Sequence, residues 1–160
     1  MAESQIERIY VAYADELLWY ALSLTQNKTA AEGLVSDAFF QLMLQKELPS
    51  NLKFWLFRVA KNKFIDATRR QKRWEWLQID RLSLKNVTDV ENDFLNQEKY
   101  QRLHAAVAQL PSSLLEVVVL YYFCDWTTVE IGEYLQVTTV NVRVRLTRGR
   151  QKLREVLQDE

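Results

Sequence analysis

A chain of 160 residues, 48% hydrophobic and 26% charged, has the make-up of a folded globular protein of one domain or two small ones. Three glycines and two prolines are too few for the turns of an all-β fold, and the single Cys124 excludes an internal disulfide framework or a multi-cysteine metal site. Lys plus Arg and Asp plus Glu both number 21, a net charge of zero that by itself points away from nucleic acid.

Residues 5–24 set Ile6, Ile9, Tyr10, Tyr13, Leu17, Tyr20, Ala21 and Leu24 at spacings of three and four, which predicts an amphipathic helix. Gln26-Asn27-Lys28 interrupts it. Thr29 and Glu32 read as a capping box for a second helix reaching about Lys46, with Leu34, Val35, Ala38, Phe39 and Leu42 inward. Pro49 and Ser50 end that segment. A third helix, about Leu52 to Arg73, opens apolar with Phe54, Trp55, Leu56, Phe57 and Val59 and closes basic; Phe54, Phe57 and Phe64 read as core.

Residues 74–93 lose the period and hold Asp80, Asp89, Glu91 and Asp93, the pattern of an acidic linker, with a short helical piece near Trp76–Leu84. Trp74 and Trp76 suit either the core or a nucleic acid. Leu95, Leu103, Val107 and Leu110 predict a helix ending before Pro111. Ser113-x-x-Glu116 reads as a second capping box for a helix through Val117, Val118, Leu120 and Tyr121; this β-branched run alone would also suit a strand, and the cap and the neighbouring helices decide for helix. Thr127-x-x-Glu130 is a third, opening Val129–Leu135. Thr138 caps a last helix running through Val140, Val142, Leu146, Leu153 and Leu157. The predicted fold is all-α: two small helical domains, 1–73 and 94–160, joined by the linker 74–93.

Net neutrality conceals a strong segregation of charge. Residues 58–73 set seven cations against Asp66, a net of +6; residues 141–154 carry six cations and no acid; the other 130 residues sum to −12. Either run alone could be a solvated helix face, but two on an acidic body form the footprint of a phosphate-binding protein. No apolar run exceeds the eight residues Val117–Cys124, against the roughly 20 that span a bilayer. The opening residues MAESQIERIY lack the basic and apolar regions of a signal peptide, so a cytoplasmic protein without membrane insertion is expected. His104 and Cys124 read as structural. No catalytic set, cofactor motif or metal cluster is present in the sequence, so an enzyme is not expected.

Two segments carry chemistry. Thr127–Arg150 has the form of a helix-turn-helix whose second helix begins with Thr138, Thr139 and Asn141 and continues into arginines. Small polar groups at a helix start approach bases and phosphates closely, and Arg143 and Arg145 reach guanine edges or phosphates. Arg148 and Arg150 suit the DNA backbone. Gln136 stands in the turn where such motifs often carry glycine. The second segment is the basic part of the third helix. Its polar row of Lys61, Asn62, Lys63, Asp66, Arg69 and Arg70 is denser than solubility requires, and aromatic rings with cations suit unpaired bases. Asp66 is expected to orient Arg58, Arg69 or Arg70.

Taken together these stretches resemble bacterial sigma-70 family RNA polymerase sigma factors of the extracytoplasmic-function type. The likeness rests on LLWYALSLTQNKTAAEGLVSDAFFQLM and FWLFRVAKNKFIDATRRQKR, then LPSSLLEVVVLYYFCDWTTVEIGEYLQVTTVNVRVRLTRGRQKLREVL, in that order and spacing. It implies a three-helix region 2 domain and a helix-turn-helix region 4 domain, no cofactor, and three partners: bacterial core RNA polymerase, promoter DNA and an anti-sigma factor. It assigns polymerase contacts to Glu32, Asp37 and Gln41. Contacts to the −10 element fall to Lys61, Asn62, Lys63, Asp66, Arg69, Arg70 and the loop Glu47–Lys53. Contacts to the −35 element fall to Thr138, Thr139, Asn141, Arg143, Arg145 and Arg148. The sequence departs from the family pattern at Gly33 and Ser36, where an acid and a glutamine are usual, at Leu115 in place of an arginine, and at Val144 in place of a small hydroxyl residue. A helix-turn-helix regulator that never joins the polymerase, or a degenerate sigma-like protein that titrates a partner, would share part of this pattern.

Overall fold

Three helices occupy the first part of the chain: α1 (Glu3–Thr25), α2 (Lys28–Met43) and α3 (Leu52–Leu77). The structure, a computed structural model, describes residues 3–77 and 105–158. The chain divides into two compact units, the first within residues 1–90 and the second within 91–160. Among the described residues there is no strand.

In the first unit each of α1, α2 and α3 packs against the other two. Leu17, Tyr20, Ala21 and Leu22 of α1 meet Ala31, Leu34, Val35, Ala38, Phe39 and Leu42 of α2, and Leu56, Phe57 and Ala60 of α3. The rings of Tyr20 and Phe57 lie 5.0 Å apart at the centre. Phe57 is fully buried, whereas Phe54 and Phe64, expected beside it, are half-buried. Tyr10 is a correction too: it is 52% exposed and leans on Phe39 from outside.

The helix starts differ from expectation. Thr29 caps nothing, because α2 begins two residues earlier than a Thr29 cap would set it. Asn27 is the cap, its Oδ1 accepting the Ala30 amide at 2.9 Å. Gln26, with φ 55°, turns the chain between α1 and α2, and its amide donates to the Leu22 carbonyl. Asn51 caps α3, accepting the Phe54 amide at 3.2 Å. An Asn side chain at each break satisfies a donor that a helix start leaves open. Helix α3 continues to Leu77, past the expected end at Arg73; its outward side is already charged and needs no core to persist. Trp74 is 62% exposed on that last stretch. The rest of the expected linker, Trp76's side chain, His104 and most of the helix expected before Pro111 lie outside the described residues, although residues 105–108 are helical.

The second unit contains α4 (Ser112–Val118), a π-helical turn (Val119–Phe123), α5 (Thr128–Leu135) and α6 (Thr139–Gln158). The Ser113 box does not form: α4 starts at Ser112 with Pro111 at its cap position and no side-chain cap, and the Leu114 and Leu115 amides donate to the Pro111 carbonyl at 2.9 and 2.8 Å. The β-branched run is helical as expected but widens into the π turn, where the Cys124 amide donates to the Val119 carbonyl at 3.0 Å. Val117, Val118, Leu120, Cys124, Trp126, Ile131, Tyr134, Val142 and Leu146 form the core, with Trp126 and Tyr134 edge to face at 5.0 Å.

Thr127 and Glu130 form a complete capping box: the Thr127 amide donates to Glu130 Oε1 at 2.9 Å and the Glu130 amide to Thr127 Oγ1 at 3.1 Å. Thr138 caps α6, its Oγ1 accepting the Asn141 amide at 3.0 Å. Between them Gln136 takes φ 58° and ψ 46°, the left-handed conformation that suits glycine. Gln136→Gly is therefore expected to stabilise the second unit by about 1 kcal/mol, read by thermal unfolding.

The turn works because of a different glycine. The Gly132 carbonyl accepts the amides of both Gln136 and Val137, and a Cβ on Gly132 would sit 2.9 Å from the Val137 carbonyl oxygen. The chain folds so closely over α5 that only hydrogen fits. Gly149 has a similar role on α6, where a Cβ would lie 2.7 Å from Val118 Cγ2.

Candidate nucleic-acid interface

Successive residues of a helix turn by about 100°, so burial on one side fixes what faces outward. On α6 the buried line is Val142, Leu146 and Gly149, with Leu153 half-buried. The opposite ridge is Val140, Val144, Thr147 and Gln151, all exposed. Arg143, Arg150 and Arg154 lie along one side of this ridge. Asn141, Arg145, Arg148 and Lys152 lie along the other. Arg143 and Arg145 thus diverge by roughly 160° rather than reaching for one spot. Arg143, Arg148 and Asn141 are exposed, Arg145 half-buried; Thr138 is exposed at the cap and Thr139 half-buried beside it.

Of the apolar residues along this helix, Val140 is 65% exposed and Leu157 41% exposed. Two sites escaped the sequence reading altogether. Tyr122, brought outward by the π turn, accepts a hydrogen bond from Arg150 Nη1 at 3.0 Å. Thr147 donates to the Arg143 carbonyl at 3.0 Å and lies 3.5 Å from Arg150 Nη2. Arg150 is therefore held in place before any ligand arrives. A helical wheel on the Val142–Leu146–Gly149 line would have exposed the valine ridge; nothing local in the sequence signals the Tyr122 contact, which spans 28 residues.

On α3 the buried line through Leu56, Phe57 and Ala60 leaves Asn62, Asp66, Arg69 and Arg73 on one outward strip, all exposed. Arg70 is exposed at its edge. Lys61 and Lys63 are half-buried and leave the helix in opposing directions, so the six expected residues do not converge as one cluster. Asp66 is exposed on this strip, about one turn before Arg69 and Arg70. The loop that precedes α3 exposes Glu47, Leu48, Ser50 and Asn51, with Pro49 half-buried; Lys53, expected in that loop, lies half-buried in the first turn of α3.

On α2 the outward face carries Gly33, Ser36, Asp37, Phe40 and Leu44, all exposed, with Glu32 and Met43 at one margin and half-buried Gln41 at the other. Asp37 and Gln41 are one turn apart; Glu32 stands away from both. Phe40, Met43 and Leu44 are each more than half exposed. A Cβ on Gly33 would meet nothing within 4 Å, so no packing requires glycine there.

Family models match both units in order: sigma-70 region 2 over residues 9–74 and sigma-70 region 4 over residues 100–153. Together they cover three quarters of the chain. The chain belongs to the sigma-70 family, as an RNA polymerase sigma factor of the extracytoplasmic-function type. It is 28% identical to the sigma factor SigM of Bacillus subtilis, across 93% of each chain. It is 27% identical to SigW of the same organism, across 92% of this chain and 86% of SigW. The fold is similar to that of the Bartonella quintana sigma factor RpoE, solved with the anti-sigma factor NepR, with a TM-score of 0.73 at 20% identity over 96% of this chain and 97% of that one. Sigma factors are transcription initiation factors that direct RNA polymerase to promoters. No helix among the described residues is long and apolar enough to cross a membrane.

Gly33 in this sigma factor offers a clean test. Gly33→Ala is expected to stabilise the first unit by about 1 kcal/mol in thermal unfolding, since the methyl enters open space and helix propensity alone decides.

Proposed function

We propose that this chain is a promoter-specificity subunit without catalysis of its own, acting in the cytoplasm, whose two modules read separate elements of one promoter. The modules are residues 1–73 and 94–160, joined by 74–93, with the last turn of α3 running into the joining segment. The observation that carries the reading is the pair of outward cationic strips, one on α3 and one on α6, matched in order by the two sigma regions. On α6, Thr138, Thr139, Asn141, Arg143, Arg145 and Arg148 meet the −35 element: the helix start and the central ridge enter the major groove while arginines on both sides meet phosphates. On α3, Asn62, Asp66 and Arg69 face the −10 element with Arg70, while Lys61 and Lys63 meet the backbone on either side. The loop Glu47–Lys53 captures an unstacked base, so that binding favours the open strands.

Core polymerase docks on the outward face of α2 through Glu32, Asp37 and Gln41. Each module binds weakly by itself; held by polymerase at one separation, the two gain affinity together. The acidic remainder of the chain repels free DNA, so binding without polymerase is weak and falls with salt. An anti-sigma factor is a further partner, by analogy with RpoE bound to NepR. The test mixes purified chain with core polymerase and a genomic template library. Co-elution with specific transcript starts supports the reading. Co-elution without transcripts favours a titrating protein, and duplex binding without co-elution favours an independent regulator.

A further inference from the structure

The centre of the α6 outward face is apolar. Val140 is 65% exposed and Val144 41% exposed, one turn apart, in the first two turns of the most cationic helix of the second unit. Neither contributes to the core, which α6 reaches through Val142 and Leu146. A helix made soluble by six cations needs no exposed valines. β-Branched residues also lower helix propensity, so this ridge is not there for stability.

The surrounding charge says what covers the ridge. Cations stand on both sides of it, Arg143 and Arg150 on one and Arg145 and Arg148 on the other, and Tyr122 fixes Arg150 in position. A ligand that meets the ridge therefore presents anionic walls on two sides and an apolar patch between them. A major groove does so: phosphates line its edges, and its floor carries one apolar group, the C5-methyl of thymine. A protein partner would have to pair an acidic rim with an apolar floor, and α6 meets DNA already in the reading above.

We infer that Val140 and Val144 are specificity-determining residues that read thymine methyls in the upstream promoter element. This rests on the assignment of α6 to that element and adds a base preference to it: A·T pairs at the two positions facing the valines, about one helical turn of α6 apart. Arginine and asparagine can still choose guanine or adenine at neighbouring positions.

The experiment uses holoenzyme reconstituted from the full chain and core polymerase. Promoters are first selected from a random duplex library, and each thymine of the upstream element is then replaced by uracil, which removes only the methyl. Wild-type holoenzyme is expected to lose about three- to fourfold in affinity at one or two thymines, the effect of one buried methyl. Val140→Ala should abolish that sensitivity at one thymine and Val144→Ala at the other. Both valines are exposed, so the alanine chains should melt no lower than wild type. Unchanged uracil sensitivity in both variants overturns the inference, as do variants that weaken assembly with core polymerase while leaving the thymine-to-uracil ratio intact. If the library yields no upstream preference at all, the assignment of α6 itself fails, which is a separate and recognisable outcome.

Discussion

Replacing Arg143 and Arg148 together by alanine is expected to lower holoenzyme affinity for a selected promoter at least about 30-fold while leaving the chain folded. The two side chains are exposed on opposite sides of the α6 ridge, so their removal takes a cation from each wall of the groove and creates no cavity. A well-placed arginine on a base edge contributes about 1–3 kcal/mol of discrimination, and a phosphate contact adds a salt-dependent term. The slope of log affinity against log salt should accordingly fall by about one for each phosphate that no longer meets an arginine. Binding to core polymerase, which the reading assigns to the other unit, should be unchanged in the same variant. Equilibrium titrations at several salt concentrations measure both quantities at once.

The second large effect runs against helix propensity. Gly132→Ala places a methyl in the middle of α5, where propensity alone promises a gain of about 1 kcal/mol. The Val137 carbonyl stands 2.9 Å from that methyl, and it belongs to backbone already fixed by two amides donating to the Gly132 carbonyl. The turn must open for the methyl to fit. The expected result is a net loss of about 2 kcal/mol in the second unit, within the range of overpacking costs. For a unit of this size that lowers its melting temperature by roughly 8–16 °C. Promoter affinity should fall with it, because the turn sets the angle at which α6 leaves α5. Gly33→Ala, with the opposite sign, is the internal control: the same substitution in a helix, with and without a neighbour in the way.

These two glycines also mark how far the sequence could be read. Periodicity located the long helices, because an apolar line at spacings of three and four is both the cause of burial and its record in the sequence; the β-branched run after Pro111 has no such line, and its helix was expected from a cap that does not form. The complete capping box at Thr127 and the cap at Thr138 were equally local and equally legible. Thr29 and Ser113 matched the same motif and failed, since Asn27 and Pro111 hold the cap positions and each helix begins two residues earlier. The role of Gly132 was invisible: glycine was expected at position 136, where the backbone turns left-handed, whereas the close approach that demands it lies one turn upstream and depends on where the chain returns.

The site was legible in kind and less so in arrangement. Cations and small polar residues identified α3 and α6, yet a row in sequence is not a row on a surface. Lys61 and Lys63 diverge, Arg143 and Arg145 flank rather than converge, and Val140 faces outward because Val142, Leu146 and Gly149 fix the buried side. The hydrogen bond from Arg150 to Tyr122 needed the π turn, which no local pattern announces.

The central claim is that two separate helical faces hold two separate stretches of one promoter, and do so in the grip of the polymerase. Hydroxyl-radical footprinting of reconstituted holoenzyme measures it directly. Two protected stretches with an unprotected spacer are predicted, with strand opening in the downstream one. Arg143→Ala with Arg148→Ala should erase the upstream stretch alone, and Asn62→Ala with Arg69→Ala the downstream protection and opening alone. A single stretch that disappears as a whole in either variant, or the same protection by the free chain at the same concentration, would contradict it.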